Sequence, residues 1–149
     1  MKKIKLLLVD DEENFVNTLA ERMTMRKVPS KVVYSGEEAL QVVKTQEPDV
    51  MILDLRMPGI DGMEVLRKVK ASNPKVQVII LTGHGTELDE EEAQKLGAFH
   101  YHKKPIDIDE LLGTVKKAYR KRMEDTMAAA AMAEEGVFDE AHKILNEDK

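Results

Sequence analysis

The chain has no cysteine and no tryptophan, and only three tyrosines and three phenylalanines among its 149 residues. Without cysteine there is no disulfide framework, no thiolate metal site and no cysteine nucleophile. That absence fits a reducing compartment, and a cytoplasmic location is the expectation. With so few aromatics the core must be built from Val, Ile, Leu, Met and Ala. No segment approaches the roughly 20 apolar residues that span a bilayer, so no membrane role is expected. Lys2-Lys3 and the apolar run after them are too short for a secretory signal and meet Asp10-Asp11 at once. A basic stripe is missing too. Residues 122–149 hold three basic against eight acidic side chains and carry all of the net charge of -5. An acidic end argues against nucleic acid as a partner.

What is there is a regular alternation. Short apolar runs at residues 4–9, 31–34, 49–53, 76–81 and 99–102 read as strands. The first, third and fourth are nearly continuous, as in strands covered on both faces. Helical spacing lies between them: Phe15, Val16, Leu19, Ala20 and Met23; Ala39, Val42 and Val43; Met63, Leu66 and Val69. A weaker stripe of Leu88, Ala93 and Leu96 follows, and a last helix opens near residue 108. Ser35 with Glu38, and Asp107 with Glu110, have capping-box spacing. Five β-α units imply an α/β fold, a doubly wound five-stranded parallel sheet with five helices on its two faces. Periodicity alone does not give the strand order. A common order for five such units is 2-1-3-4-5, with its crevice between the carboxyl ends of the first and third strands.

The polar residues at the strand ends then acquire meaning. Asp10-Asp11 follow the first strand, Asp54 the third, Thr82 the fourth, and Lys104 the fifth, just before Pro105. In one parallel sheet they gather at one edge. Carboxylates, a hydroxyl and an ammonium together suit a divalent metal and a phosphoryl group. Singly, each has a plainer explanation: paired acids after a strand often serve only the positive end of a helix, Thr82 can cap a strand end, and Lys104 can be a surface lysine.

The phrases Leu8-Val9-Asp10-Asp11-Glu12, Asp54-x-x-Met57-Pro58-x-x-Asp61-Gly62, Leu81-Thr82-Gly83-His84-Gly85, and Tyr101 three residues before Lys104-Pro105 occur together. On these, residues 3–121 resemble the receiver domain of bacterial two-component response regulators, the fold of the chemotaxis regulator. The Leu81–Gly85 phrase is most similar to receivers that precede sigma-54-type activators.

The resemblance implies a flavodoxin-like sheet and a phosphoacceptor, Asp54, that takes phosphorus from a histidine kinase or phosphotransfer protein. It implies Mg2+ held by Asp11 and Asp54 directly, by Asp10 mainly through water, and by the backbone carbonyl of Arg56. Lys104 and Thr82 would bind the phosphoryl oxygens. Thr82 and Tyr101 would form the switch, with Tyr101 turning inward and reshaping the face of the fourth helix, fifth strand and fifth helix. The Lys104-Pro105 bond would be cis. Arg56 and His84, two residues past Asp54 and Thr82, stand where they can tune the lifetime of the phosphorylated state. Such a domain is no enzyme beyond assisting its own phosphorylation and dephosphorylation. Two other functions compete: a Mg2+-dependent phosphatase with an aspartyl-phosphate intermediate, and a scaffold that ignores phosphorylation. The phosphatase usually needs a second Asp two residues on, where this chain has Arg56.

The acidic cluster Glu87, Asp89, Glu90, Glu91 and Glu92 complements the dipole of the fourth helix and can also face a partner. Two regions are expected: the receiver, residues 1–121, and a helical extension, residues 122–149, with no DNA-binding output. Met127, Ala128 to Ala131 and Met132 continue a helix. Gly136 is expected to break it, Asp139 to Asn146 to fold as a short second helix, and the resulting hairpin to pair with a second copy of the chain. The downstream target is not legible.

Overall fold

A computed structural model describes residues 3–146, with side chains described for residues 3–132. Five strands, β1 (Leu6–Val9), β2 (Ser30–Val33), β3 (Val50–Leu53), β4 (Gln77–Thr82) and β5 (His100–Lys103), alternate with α1 (Glu13–Met25), α2 (Gly36–Thr45), α3 (Gly62–Ser72), α4 (Glu87–Lys95) and α5 (Ile108–Asn146). All pairings are parallel and the order is β2-β1-β3-β4-β5, the order expected. Strand ends lie within two residues of their expected positions.

Alternation along each strand divides the core in two. Leu7, Val9, Met51, Leu53, Val78 and Ile80 face α2 and α3, meeting Ala39, Val43, Val65, Leu66 and Val69. Leu6, Leu8, Val50, Ile52, Ile79 and Leu81 face α1 and α5, meeting Val16, Leu19, Met23, Leu111, Val115 and Ala118. Each wholly buried Leu or Ile contributes about 1.5–3 kcal/mol. Leu8, Leu53, Ile79 and Ile80 are fully excluded from solvent, so the central strands hold the site's framework rigidly.

The helix starts are anchored by side chains. Ser35 Oγ accepts from Glu38 N at 3.1 Å, but the Glu38 carboxylate reaches back to Tyr34 N (2.9 Å) rather than to the cap's own amide. Asp107 Oδ2 accepts from Asp109 N and Glu110 N, both at 3.1 Å. Asp61 Oδ1 accepts from Glu64 N at 3.0 Å and sets the start of α3.

Two expectations need correction. The α4 stripe holds only in part, because Ala93 is buried and Leu96 packs against the core while Leu88 is 75% exposed. And α5 is one helix through Gly136, where a break and a short second helix were expected. A helix-interior glycine costs only about 1 kcal/mol relative to alanine, too little to stop a helix with good formers on both sides. The hairpin's side chains, Phe138, Ile144 and Leu145, lie outside those described. At the opposite pole from the candidate site, Arg122 donates to Asp49 Oδ1 (2.8 Å) and Glu47 Oε2 (3.0 Å), and Gln77 Nε2 to Asp125 Oδ2 (3.4 Å). These contacts tie α5 to the amino ends of β3 and β4. Among the described residues no helix is long and apolar enough to cross a membrane.

Candidate functional site at the carboxyl edge of the sheet

β1 and β3 run side by side, Val9 opposite Leu53, so the residues after them emerge together. Asp54 N donates to Val9 O at 3.0 Å, and Asp10 N to Val33 O at 3.3 Å, which carries the ladder one residue past each strand. Both aspartates are nearly buried, at 4% and 3% exposure, and Thr82 is wholly buried. β4 and β5 pair as far as Thr82 and Lys103, and Lys104 N then donates to Thr82 O at 2.9 Å. The Lys104-Pro105 peptide is cis.

The Lys104 ammonium organises the pocket. It lies 2.7 Å from Asp10 Oδ2, 2.6 Å from Glu12 Oε1 and 4.0 Å from Asp54 Oδ2. Its Nζ also sits 4.2 Å from the centroid of the Phe15 ring, a cation–π contact. Burial by itself would lower the lysine's pKa. The hydrogen bonds to Asp10 and Glu12, with the charges of Asp10 and Asp54, outweigh it and hold the ammonium above its ordinary value. Burial pushes the Asp10 carboxyl up; the bonds from Lys104 and Glu12 N oppose this, and the Asp54 charge adds to the rise. Glu12, exposed at the rim, is lowered by its bond to Lys104.

Asp10, Glu12 and Asp54 each offer a carboxylate oxygen, all within 4.8 Å of one another. Asp11, half-buried, stands outside that trio, and Glu12 stands in it although the strand-end pattern did not single it out. Oxygen donors of this kind suit a hard divalent cation such as Mg2+. Three carboxylates facing one ammonium leave an excess of negative charge for the ion to neutralise, so the residues present fit it.

Thr82 Oγ1 accepts from His84 N at 3.4 Å, which places the β4–α4 turn directly on the hydroxyl. Tyr101 points inward and is buried, and its hydroxyl has no hydrogen-bond partner among the described residues. That hydroxyl rests against Gly85, at the spot a Cβ would occupy, so only glycine leaves room for the inward ring. Arg56 is split between two neighbours. Its amide approaches Asp54 Oδ1 at 3.4 Å, while its guanidinium leaves the pocket for Asp89 on α4, at 2.8 Å. The His84 side chain is exposed at the rim. Asp10, Asp54, Thr82, Lys104 and Tyr101 are thus brought to one edge.

A model of the family described as the response regulator receiver domain matches residues 6–116. The chain belongs to the response regulator receiver family. Receivers are two-component signalling modules rather than enzymes of the ordinary kind, and phosphorylation on aspartate is typical of them. This receiver is 37% identical over 118 residues to the sporulation initiation phosphotransferase F of Bacillus subtilis (strain 168), covering 78% of this chain and 94% of that one. It is 38% identical over 112 residues to the DNA-binding transcriptional regulator NtrC of Klebsiella pneumoniae, covering 74% of this chain but only 24% of NtrC. Among solved structures, it matches one described as adenylate cyclase from Rhodopirellula baltica with a TM-score of 0.82 and 27% identity, covering 89% of this chain and 98% of that one. The receiver domain of the Francisella response regulator 1452 matches with a TM-score of 0.74 and 29% identity, over 80% and 98% of the two chains.

Proposed function

We propose that Asp54 is the phosphoacceptor of this receiver and that a histidine kinase or phosphotransfer protein is the donor. The observation that carries this reading is the pairing of a nearly buried Asp54 with the Lys104 ammonium and the Asp10 carboxylate, with Thr82 at the end of the adjacent strand. A carboxylate oxygen of Asp54 forms the new O–P bond as the donor's N–P bond breaks, and the electron pair of that bond stays on the departing imidazole. Lys104 supplies a point charge to one phosphoryl oxygen and Thr82 a hydroxyl donor to another. Asp54 and Asp10, with Glu12 beside them and Asp11 and the Arg56 carbonyl as further oxygen donors, would hold Mg2+, which would supply charge neutralisation. Glu12 holds the ammonium at the rim until a phosphoryl claims it.

The phosphoryl adds about -1.5 to -2 charges at neutral pH, by analogy with phosphoserine. Drawing Thr82 towards it favours the inward Tyr101 and so the shape of the α4, β5 and α5 face, a shift between two populations. We assign the downstream step to binding of a protein on that face or to passing the phosphoryl to another histidine, in the cytoplasm. A near-full-length relative named as a phosphotransferase supports the second route. Exposed Met127 and Met132 on the extension of α5 support a homodimer, and a monomer by light scattering with and without phosphoryl excludes it. The phosphatase reading is disfavoured, because the residue two past Asp54 is a guanidinium engaged with Asp89, not an acid that could donate a proton.

The deciding experiment is intact mass after incubation with Mg2+ and acetyl phosphate. The wild type gains one labile phosphoryl and Asp54→Asn gains none. Continuous turnover indicates the phosphatase, and an unmodified wild type indicates the scaffold. Following loss of the label in Arg56→Ala and His84→Ala then tests their part in its lifetime. Rates within about twofold of wild type for both variants exclude that part.

A further inference from the structure

Arg56 and Asp89 are 33 residues apart, yet their contact joins the phosphoacceptor loop to the start of α4. Asp89 Oδ2, which accepts from Arg56 Nη2 at 2.8 Å, also accepts from Thr86 N at 3.0 Å, while Asp89 N donates to Thr86 Oγ1 at 3.1 Å. One carboxylate oxygen therefore holds both the capping box that begins α4 and the tie to the loop after β3. The helix has little else to fix its first turn, since Leu88 is exposed and Ala93 is its buried residue. Arg67, 3.6 Å from Glu92, adds a second ionic tie further along. The Asp89 carboxyl is held below its usual value, first by the Thr86 amide and then also by the Arg56 charge.

The buried Tyr101 hydroxyl lies within the field of this junction. Burial raises its pKa, the Asp89 and Glu90 charges raise it further, and those of Arg56 and Asp54 also act on it. Arg56 has Asp54 at its backbone amide, 3.4 Å away, and Asp89 at its guanidinium. A guanidinium forks onto phosphate oxygens bidentately. A phosphoryl at Asp54, more highly charged than one carboxylate and sited where solvent screens less, is the stronger claimant.

We propose that Asp89 is a positioning residue, holding the Arg56 guanidinium on α4 in the unmodified protein, and that a phosphoryl group on Asp54 draws the guanidinium away and loosens the first turn of that helix. The inference rests on Asp54 being the phosphoacceptor and adds a route to α4 separate from Thr82 and Tyr101. Coupling of this kind is reciprocal: what makes Arg56 easier to release makes the phosphoryl state easier to reach.

Asp89→Asn isolates the charge, because an asparagine oxygen can still cap Thr86 N. The probe is beryllofluoride with Mg2+, an acyl-phosphate mimic, titrated calorimetrically into the full chain. Asp89→Asn is expected to bind it about three- to tenfold tighter than wild type. In an Arg56→Ala background the same substitution is expected to change affinity by less than about twofold. Amide exchange in the first turn of α4 should quicken when the mimic binds wild type and stay unchanged when it binds Arg56→Ala. Unaltered affinity in Asp89→Asn, or tightening that persists without Arg56, overturns the latch while leaving the phosphoacceptor reading intact. A wild type that takes up neither the mimic nor a phosphoryl from acetyl phosphate overturns both.

Discussion

Gly62→Ala is expected to destabilise the protein by about 3 kcal/mol and to slow labelling of Asp54 by about a hundredfold. Gly62 is the first residue of α3, directly after the Asp61 cap, and its amide donates to Leu55 O at 3.0 Å. A Cβ there would collide with the Asp54 carbonyl oxygen and lie 2.6 Å from Leu55 Cα and 2.9 Å from the Asp54 carbonyl carbon. All three are backbone atoms of the loop that carries the phosphoacceptor, so no side chain can swing aside. Either α3 lifts, opening contacts of Val65, Leu66 and Val69, which are wholly buried, or the loop moves and takes Asp54 out of line with Lys104. Urea midpoints give the first effect and the rate of mass gain the second. Gly113→Ala is the control: its Cβ meets nothing within 4 Å in α5, and it should stabilise by about 0.5–1 kcal/mol. Equal losses at both glycines would mean that crowding against the loop is not the cause.

How much of this could be read from residues alone depended on what each feature obeys. β1, β3 and β4 were legible because strands covered on both faces leave unbroken apolar runs, and the acids and hydroxyl at their ends follow from parallel pairing. The pocket needed the 2-1-3-4-5 order, which periodicity cannot supply and a common topology did. The choice among Asp10, Asp11 and Glu12 was not legible. The chain leaves β1 and turns into α1 there, so neither strand nor helix alternation says which acid faces inward. Arg56 was expected beside a phosphoryl on Asp54, but its guanidinium goes to Asp89, a partner chosen by tertiary packing. Leu88 misled for a related reason: the first turn of α4 is held by an ion pair and a capping box, so Leu88 stays exposed although Ala93 and Leu96 face the core. Gly136 misled because its intrinsic helix cost is small beside the propensity of the Ala-rich turns before it.

Lys104→Met should cost about 3 kcal/mol at pH 7, and the deficit should shrink as the pH falls. The methionine fills similar volume but leaves Asp10, whose side chain is 6% exposed, beside Asp54 with no ammonium between them. Breaking a buried pair costs far more than the pair's net worth, because the remaining charge is stranded. In wild type the Asp10 carboxyl is already raised by burial against the pull of Lys104, so losing Lys104 raises it further. A carboxyl raised in the folded state penalises folding above its folded pKa and is relieved as pH falls through that value, so the deficit must shrink on acidification. The wild type behaves oppositely at the alkaline end. Its raised lysine gives full stabilisation below the ordinary value of 10.5 and loses it only as pH rises through the higher folded one. Urea unfolding at pH 5, 7 and 9 separates the two curves, and a deficit equal at all three would show that Lys104 acts through packing on Phe15 rather than through charge. Mg2+ supplies a further discriminant. A cation taking the ammonium's place beside Asp10 and Asp54 should recover part of the loss at pH 7, in proportion to its occupancy, and should do less as acidification brings protons that compete for the same oxygens.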